Sequence, residues 1–449
     1  MAFFLSQPEL ADQQIGVKPP PRVLTMEVGQ HVGERVMLDG WLHQLRRMGG
    51  VNFLILRDRK GLLQIVSNDV SSLQHMLPES VLQVSGLVVA ESRAQGGYEL
   101  HDANIEVISP VTEALPYSIH HPDVNVHLDT YLDHPIVGLR HPRQRAKLRL
   151  SAGLMAGFRT TLNELDFTEI QSPKLVGTAT ESGANVFEVD YFGRRAYLAQ
   201  SPQFYKQMMT TVFERVYEVG PVFRAEPHDT TRHINEYVSL DVEMAFIQDH
   251  REVMAVVEKV IGGMIGYVSN HYANELELLQ ASLPVLHSPF PAICFPDAQR
   301  LIFERWGEDC QGEPDLAPQH ERWLGQWASE TYHNDFLFVT GYPMEKRPFY
   351  THPQPSDPRY SNSFDLLFRG TELITGGQRL HRYQDYLAAA QARGIQPRTI
   401  SGYLEAFRYG AAPHGGFAIG LERFIMQLLG LSNIREASLF PRDLSRITP

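Results

Sequence analysis

The chain has 449 residues, a length for two or three domains, and its 43% hydrophobic and 20% charged residues exclude disorder for most of it. A net charge of −12 argues against a uniformly basic nucleic-acid binder but leaves room for a local basic face. Two cysteines, Cys294 and Cys310, cannot build a disulfide framework or a Cys-based zinc site, and no apolar run reaches the roughly 18 residues of a membrane span, so a cytoplasmic protein with no membrane partner is expected.

The start, Phe3-Phe4-Leu5, lacks the basic lead and long apolar stretch of a secretory signal. Residues 1–30, with Pro19-Pro20-Pro21, read as an N-terminal extension. From 31 to 110 the pattern is β-rich. Short apolar runs begin at Val36, Phe53, Leu62, Gly86 and Ile105, punctuated by Gly49-Gly50, Gly61 and Gly96-Gly97. Such a series suggests a small Greek-key barrel of the OB type, and any other small β-domain fits it as well. Residues 111–142, with Pro116, Pro122, Pro135 and Pro142, read as a linker or hinge. It runs into Arg140, Arg143, Arg145, Lys147 and Arg149, which suit either a solvated helix start or a phosphate backbone.

The body, 143–449, mixes helices and strands. Leu154, Met155, Phe158, Leu162 and Leu165 share one helical face; Val253, Val256, Val257, Val260, Ile261 and Met264 share another. Residues 238–246 alternate, with Val238, Leu240, Val242, Met244 and Phe246 against Ser239, Asp241, Glu243 and Ala245. This predicts a half-buried strand in an antiparallel sheet. With no βαβ series, the fold class is α+β. The stretch 286–360, rich in Pro, Trp and Tyr, reads as an insertion.

There is no P-loop, no G-x-G-x-x-G, no H-E-x-x-H and no G-x-S-x-G. Three other segments stand out in order: Asp166 to Pro173; Val222-Phe223-Arg224-Ala225-Glu226, a polar loop, then Arg232-His233-Ile234-Asn235-Glu236-Tyr237; and Gly415-Gly416-Phe417-Ala418-Ile419-Gly420-Leu421-Glu422-Arg423. Each suits a bound triphosphate. A hairpin carrying Arg224, Arg232 and His233 offers cationic donors to phosphate oxygens. Tyr237 supplies a flat face for a purine, Arg423 a cation to cover it, and the glycines close backbone approach.

These segments resemble motifs 1, 2 and 3 of class II aminoacyl-tRNA synthetases, nearest to the aspartyl-tRNA synthetases of the archaeal/eukaryotic type. Further stretches carry the resemblance: Thr178 to Glu181, Ala199 to Gln207, Gly376 to Arg379, Phe407 to Gly410, Pro413 to Phe417 and Asn433 to Glu436. It implies an antiparallel catalytic sheet flanked by helices, preceded by an OB-fold β-barrel that reads the anticodon. The implied activity is ATP-dependent activation of L-aspartate to an adenylate, then transfer to the 3′ end of tRNA-Asp; tRNA-Asn stays open as a second acceptor.

The resemblance also implies roles. Arg224, Glu226 and Arg423 are the expected catalytic residues: Arg224 clamps the α-phosphate, Glu226 holds the adenine end, and Arg423 covers the base and the outer phosphate. Arg232 and His233 reach the outer phosphates. Ile234, Tyr237 and Gly420-Leu421-Glu422 complete the ATP site. Glu372 and Thr375 are the expected Mg2+ ligands; Thr375 stands where relatives commonly have Ser. For aspartate, Arg379 grips the side-chain carboxylate and Lys206 adds a second positive charge. Asparaginyl enzymes usually carry an acidic residue at the Lys206 position, so Lys206 favours aspartate. Glu181 and Gln203 take the substrate ammonium, with Arg224 and Thr375 also in the amino-acid site; His414, beside Pro413 and Gly415, either lines the same pocket or is structural.

For the anticodon, Phe53 and Gln64 are the expected stacking and edge contacts, with Phe53 equally readable as core. His43 resembles the less selective subtype, and Gln95 matches neither. Motif 1 implies a homodimer. Two other readings stand beside the ligase: a paralogue passing an activated amino acid to a non-tRNA acceptor, and a non-catalytic RNA-binding relative.

Overall fold

A computed structural model describes residues 22–48, 51–68, 73, 75–178, 185–227 and 230–448. The chain divides into two compact units between Val126 and His127.

The first unit is a closed barrel of β1 (Arg35–Met48), β2 (Val51–Arg57), β3 (Leu62–Ser67), β4 (Val81–Ala90) and β5 (Tyr98–Ser109), in the order β1-β2-β3-β5-β4. Strict alternation sends Val36, Leu38, Leu54, Leu56, Leu63, Ile65, Leu82 and Val84 inward to one core. Phe53 and Gln64, of opposite parity, stand on the outer wall. Phe53 is therefore not a core residue. The register of β1 against β2 shifts between Leu42 and Gln44, placing His43 in a bulge. The segment expected as a linker is shared: Val111 donates its N–H to Ser80 Oγ over 3.0 Å and residues up to Val126 belong to the first unit, while residues from His127 on belong to the second.

The second unit begins with α1 (Leu128–Asp133), α2 (Pro135–Gly138) and α3 (Pro142–Glu164). Then come β6 (Thr168–Glu169), β7 (Leu175–Val176), β8 (Glu188–Tyr191), β9 (Arg194–Leu198), α4 (Gln203–Phe213), β10 (Arg215–Phe223) and β11 (Glu236–Ala245). Next are α5 (His250–His271), α6 (Ala273–Leu279), β12 (Ala292–Cys294), α7 (Phe295–Trp306), α8 (Pro318–Tyr332) and β13 (Phe336–Thr340). The chain finishes with β14 (Ser363–Phe368), β15 (Thr371–Gln378), α9 (Tyr383–Ala392), α10 (Ser401–Arg408), β16 (His414–Gly420) and α11 (Leu421–Leu429).

Eight strands form the main sheet in the order β12-β13-β14-β15-β16-β11-β10-β6, antiparallel except at its two outer pairs. The predicted apolar faces of α3 and α5 pack on one side of it, with Phe158, Val257, Ile261 and Met264 against Leu240, Val242, Phe417 and Ile419. The segment expected as an insertion is part of this sheet, supplying β12 and β13 at one end and α7 and α8 beside them.

The alternating strand β11 departs from expectation. Leu240 and Val242 face the core, but Ser239, Asp241 and Glu243 on the opposite face are buried as well. That face is covered by α4 and the floor of a cavity rather than by water. Phe246 leaves the pattern altogether. The chain turns there at φ 60°, and the ring is 70% exposed.

Candidate active site

Strand register assembles the site on the polar face of the main sheet. Asp365, Thr375, Ala418, Asp241 and Glu218 lie side by side across five strands, and Gly377, Gly416 and Glu243 form the adjacent row. The backbones crowd there. A Cβ at Gly416 would stand 2.7 Å from Glu243 Cδ, so glycine alone lets that carboxylate lie flat on the sheet. Above this floor opens a cavity of about 430 Å³.

The hairpin between β10 and β11 forms one wall. Asn235 fixes it: its Nδ2 donates to Arg224 O at 2.7 Å and Glu226 O at 3.2 Å, and Arg224 N–H donates to Asn235 O at 2.8 Å. Arg224, Glu226, Arg232, His233, Ile234 and Tyr237 all line the cavity. The Arg224 guanidinium sits 5.7 Å from the Tyr237 ring centroid. Thr230 Oγ1 and His233 Nδ1 hydrogen-bond at 2.7 Å. No hydrogen bond or ion pair reaches the Arg232 guanidinium among the described residues, so its charge is open to an anion.

The opposite wall comes from β15, β16 and α11. Glu372, Thr375, Gly420, Glu422 and Arg423 line it. Arg423 Nη1 donates to Glu372 O at 3.1 Å, which ties the expected nucleotide cation to the backbone of the expected metal ligand. Glu422 accepts the Val238 N–H at 3.1 Å, and burial pushes its carboxyl up to about 7. Leu421 is a correction: its side chain is in the core and does not line the cavity.

At the floor, Arg379 Nε donates to Glu243 Oε1 at 3.0 Å and one Nη to Gly416 O at 3.1 Å. Its other Nη has no hydrogen-bond partner among the described residues, and the guanidinium lies 5.6 Å from the Tyr350 ring centroid. Lys206, 1% exposed, donates to Phe417 O at 3.1 Å and Val242 O at 3.3 Å. It also stands 2.9 Å from Asp241 Oδ1 and 3.4 Å from Glu243 Oε2. Burial pushes the Glu243 carboxyl up, but Arg379 and Lys206 more than offset this and hold it below the usual carboxylate range.

The second positive charge expected from Lys206 is thus already paired inside the protein. A bare ammonium at this depth would be costly, and Asp241 and Glu243 balance the charges of Lys206 and Arg379 one for one. Lys206 remains in the cavity wall, but as part of the scaffold that aims Arg379. Gln203 lines the cavity as expected, its Nε2 donating to Gln207 Oε1 at 2.9 Å. His414 takes the structural one of its two readings: it is fully buried and does not line the cavity, its Nε2 is 2.9 Å from Gln207 Nε2, and burial lowers its pKa to about 4. Glu181 lies outside the described residues.

Sequence reasoning missed a carboxylate. Asp365 pairs across β14–β15 with Thr375, and Thr375 Oγ1 donates to Glu372 Oε1 at 2.9 Å. Burial pushes Asp365 up to about 6; Arg347, 3.0 Å away, pulls it down and Glu372 pushes it up again. Among the described residues its buried Oδ1 has no hydrogen-bond partner within bonding geometry, with the Thr375 hydroxyl on the neighbouring strand. An orphaned oxygen beside a second carboxylate and a hydroxyl is a donor set that fits a hard divalent cation. The signal was its place opposite Thr375 in a tight hairpin.

In the barrel, Gln64 Nε2 donates to Glu99 Oε2 at 2.8 Å, and Gln95 is exposed in the β4–β5 turn. His43 is buried beside Arg57, Glu79 and His120. Those groups do not form an open cation site, because Arg57 already grips Glu79 at 2.6 and 2.7 Å. No helix among the described residues is long and apolar enough to cross a membrane.

Comparison with known proteins follows the same division. Residues 127–444 match the family of class II tRNA synthetases (D, K and N), and residues 36–108 match the OB-fold nucleic acid binding domain. The chain is 47% identical over 428 residues to an aspartate–tRNA(Asp/Asn) ligase of Thermus thermophilus, covering 95% of this chain and 100% of that one. It is 40% identical to an aspartate–tRNA(Asp) ligase of Pyrococcus horikoshii, covering 93% and 97%. Among solved structures, an asparaginyl-tRNA synthetase of Pyrococcus horikoshii complexed with asparaginyl-adenylate superposes with a TM-score of 0.88 at 32% identity, covering 97% and 100%.

Proposed function

The chain belongs to the class II tRNA synthetases (D, K and N) and is a ligase, and from that premise we propose that it is an aspartate–tRNA ligase. One observation carries the choice of aspartate: the Arg379 guanidinium in the cavity wall, anchored by Glu243 and Gly416, with one Nη engaged by neither. A guanidinium matches a carboxylate in charge and geometry, and an amide of the same size does not satisfy it.

In this reading ATP binds between Tyr237 and Arg423, with Arg224 at the α-phosphate and Arg232 and His233 at the outer phosphates. The aspartate α-carboxylate attacks the α-phosphorus, the bond to the bridging oxygen breaks, and pyrophosphate leaves. The tRNA 3′-terminal hydroxyl then attacks the adenylate carbonyl and AMP leaves. No protein nucleophile is needed; positioning and charge neutralisation supply the rate. Gln203 and Glu181 are assigned to the substrate ammonium. Glu372, Thr375 and Asp365 would hold Mg2+, which when bound neutralises phosphate charge.

The anticodon is assigned to the outer wall of the barrel, with Phe53 stacking and Gln64 on a base edge. We assign tRNA-Asp as acceptor and, from the aspartate–tRNA(Asp/Asn) ligase of Thermus thermophilus that the chain resembles, tRNA-Asn as a second; His43, being buried, is not an anticodon contact. We place the protein in the cytoplasm as a homodimer, since β6 ends the main sheet and Leu175, Tyr191 and Phe192 are exposed nearby in sequence; a monomeric mass at micromolar concentration contradicts the dimer. Charging of purified tRNA-Asp and tRNA-Asn tests the acceptors: an alkali-labile, acid-stable aspartyl ester is expected on both. Activation of aspartate with no ester on either tRNA would favour a paralogue with another acceptor.

A further inference from the structure

Helix α8 lies far from the nucleotide motifs in sequence, yet it is pressed backbone to backbone on the turn between β14 and β15. A Cβ at Gly325 would stand 2.5 Å from Gly370 Cα, and one at Gly370 would stand 2.7 Å from Arg322 Cα. The turn is held from both sides. Arg369, at φ 48°, donates its N–H to Asp335 O at 2.9 Å and its Nε to Asp335 Oδ2 at 3.1 Å. One turn of helix before Gly325 sits Glu321, and its Oε2 accepts the backbone N–H of Glu372 at 3.3 Å.

That amide lies at a defect in the ladder. Leu367 pairs with Glu372 and Leu366 with Ile374, so Leu373 is an extra residue in β15. A bulge of this kind re-aims the neighbouring side chain and needs its backbone groups satisfied locally. Here the re-aimed side chain is Glu372, which faces the cavity with Arg423 Nη1 on its carbonyl.

We propose that Glu321 is a positioning residue for the nucleotide site: by accepting the Glu372 amide it holds the β15 bulge that presents Glu372 to the divalent cation and the phosphates. The inference rests on the ligase reading and adds to it a residue that never touches substrate. It also makes α8 part of the nucleotide wall, so displacement of α8 is felt first by ATP and the cation.

The test uses the full chain and the variants Glu321→Ala, Glu321→Asp and Glu321→Gln. Calorimetry reads the Kd of a non-hydrolysable ATP analogue with Mg2+; aspartate-dependent ATP–pyrophosphate exchange reads the KM of each substrate. Glu321→Gln keeps the acceptor and is expected within about twofold of wild type. Glu321→Asp is too short to reach and should behave as Glu321→Ala, with analogue Kd, ATP KM and half-saturating Mg2+ raised about three- to tenfold and aspartate KM unchanged. The Asp–Gln pair decides the matter if the Ala variant does not fold. Unchanged nucleotide binding in folded Ala or Asp variants overturns the inference. So does a Gln variant as impaired as Ala, or an equal loss for aspartate and ATP together with a lowered melting temperature. Wild-type protein without exchange instead overturns the ligase reading and takes the inference with it.

Discussion

Arg379 donates its Nε–H to Glu243 Oε1 over 3.0 Å, with both side chains buried at the cavity floor. Glu243 thus turns a flexible cation into a fixed one, and Lys206, 3.4 Å from the other Glu243 oxygen, keeps the carboxylate charged. The pair explains how a chain of net charge −12 can present positive charge to an anionic amino acid.

Removing the cation should strike the amino acid and spare the nucleotide. Arg379→Ala leaves Glu243 with less compensation and the substrate side chain with none. A loss of about 3 kcal/mol or more, roughly a hundredfold in kcat/KM for aspartate, is expected, with ATP binding within a few-fold. Steady-state exchange with each substrate varied in turn measures the split.

The divalent-cation set is tested separately. Asp365→Asn and Glu372→Gln should each raise the Mg2+ concentration for half-maximal exchange by about tenfold or more, and chelation should abolish exchange in wild type. Titrations of exchange rate against Mg2+ would show it. An unchanged Mg2+ requirement in both variants would remove these carboxylates from the assignment.

His414 gives a pH-dependent stability term. Its folded pKa, lowered by burial to about 4, lies below the ordinary 6.5, so the unfolded chain binds the extra proton between those values. Stability from this group is full above pH 6.5 and is lost as pH falls toward 4, with roughly 3 kcal/mol as its upper bound. Glu321 and Glu422, raised to about 7, work in the opposite sense over an overlapping range, so the readout is a difference. Melting curves of wild type minus His414→Gln should show the variant gaining relative stability on acidification from pH 6.5 to 4.5.

In the barrel, Phe53→Ala should raise the KM for tRNA about tenfold through loss of one stacked base and leave pyrophosphate exchange unchanged. An equal effect on both reactions would return Phe53 to a structural role.

Much of this was legible in the sequence. The apolar periodicities of α3 and α5 predict the core, and Arg224, Arg232, His233, Tyr237, Glu372, Arg379 and Arg423 do converge on one cavity. What periodicity could not convey is what covers the polar face of a strand. The alternation at 238–246 reads the same whether Asp241 and Glu243 meet water or Lys206 and Arg379, and only the packing of α4 decides it. Asp365 and Glu321 escaped for a related reason. Their importance comes from a cross-strand register and a helix laid over a turn, which one-dimensional spacing does not record. His414 stayed undecided in the sequence because residues later in its motif line the cavity while its own side chain, at the start of β16, is buried against Gln207.

The central claim is that an anchored guanidinium selects a dicarboxylic amino acid beside ATP. ATP–pyrophosphate exchange with the purified full chain, run in parallel with L-aspartate and L-asparagine, tests it most directly. The account predicts exchange with aspartate and a kcat/KM for asparagine lower by about two orders of magnitude or more. Equal exchange with the two amino acids, or preference for asparagine, would contradict it.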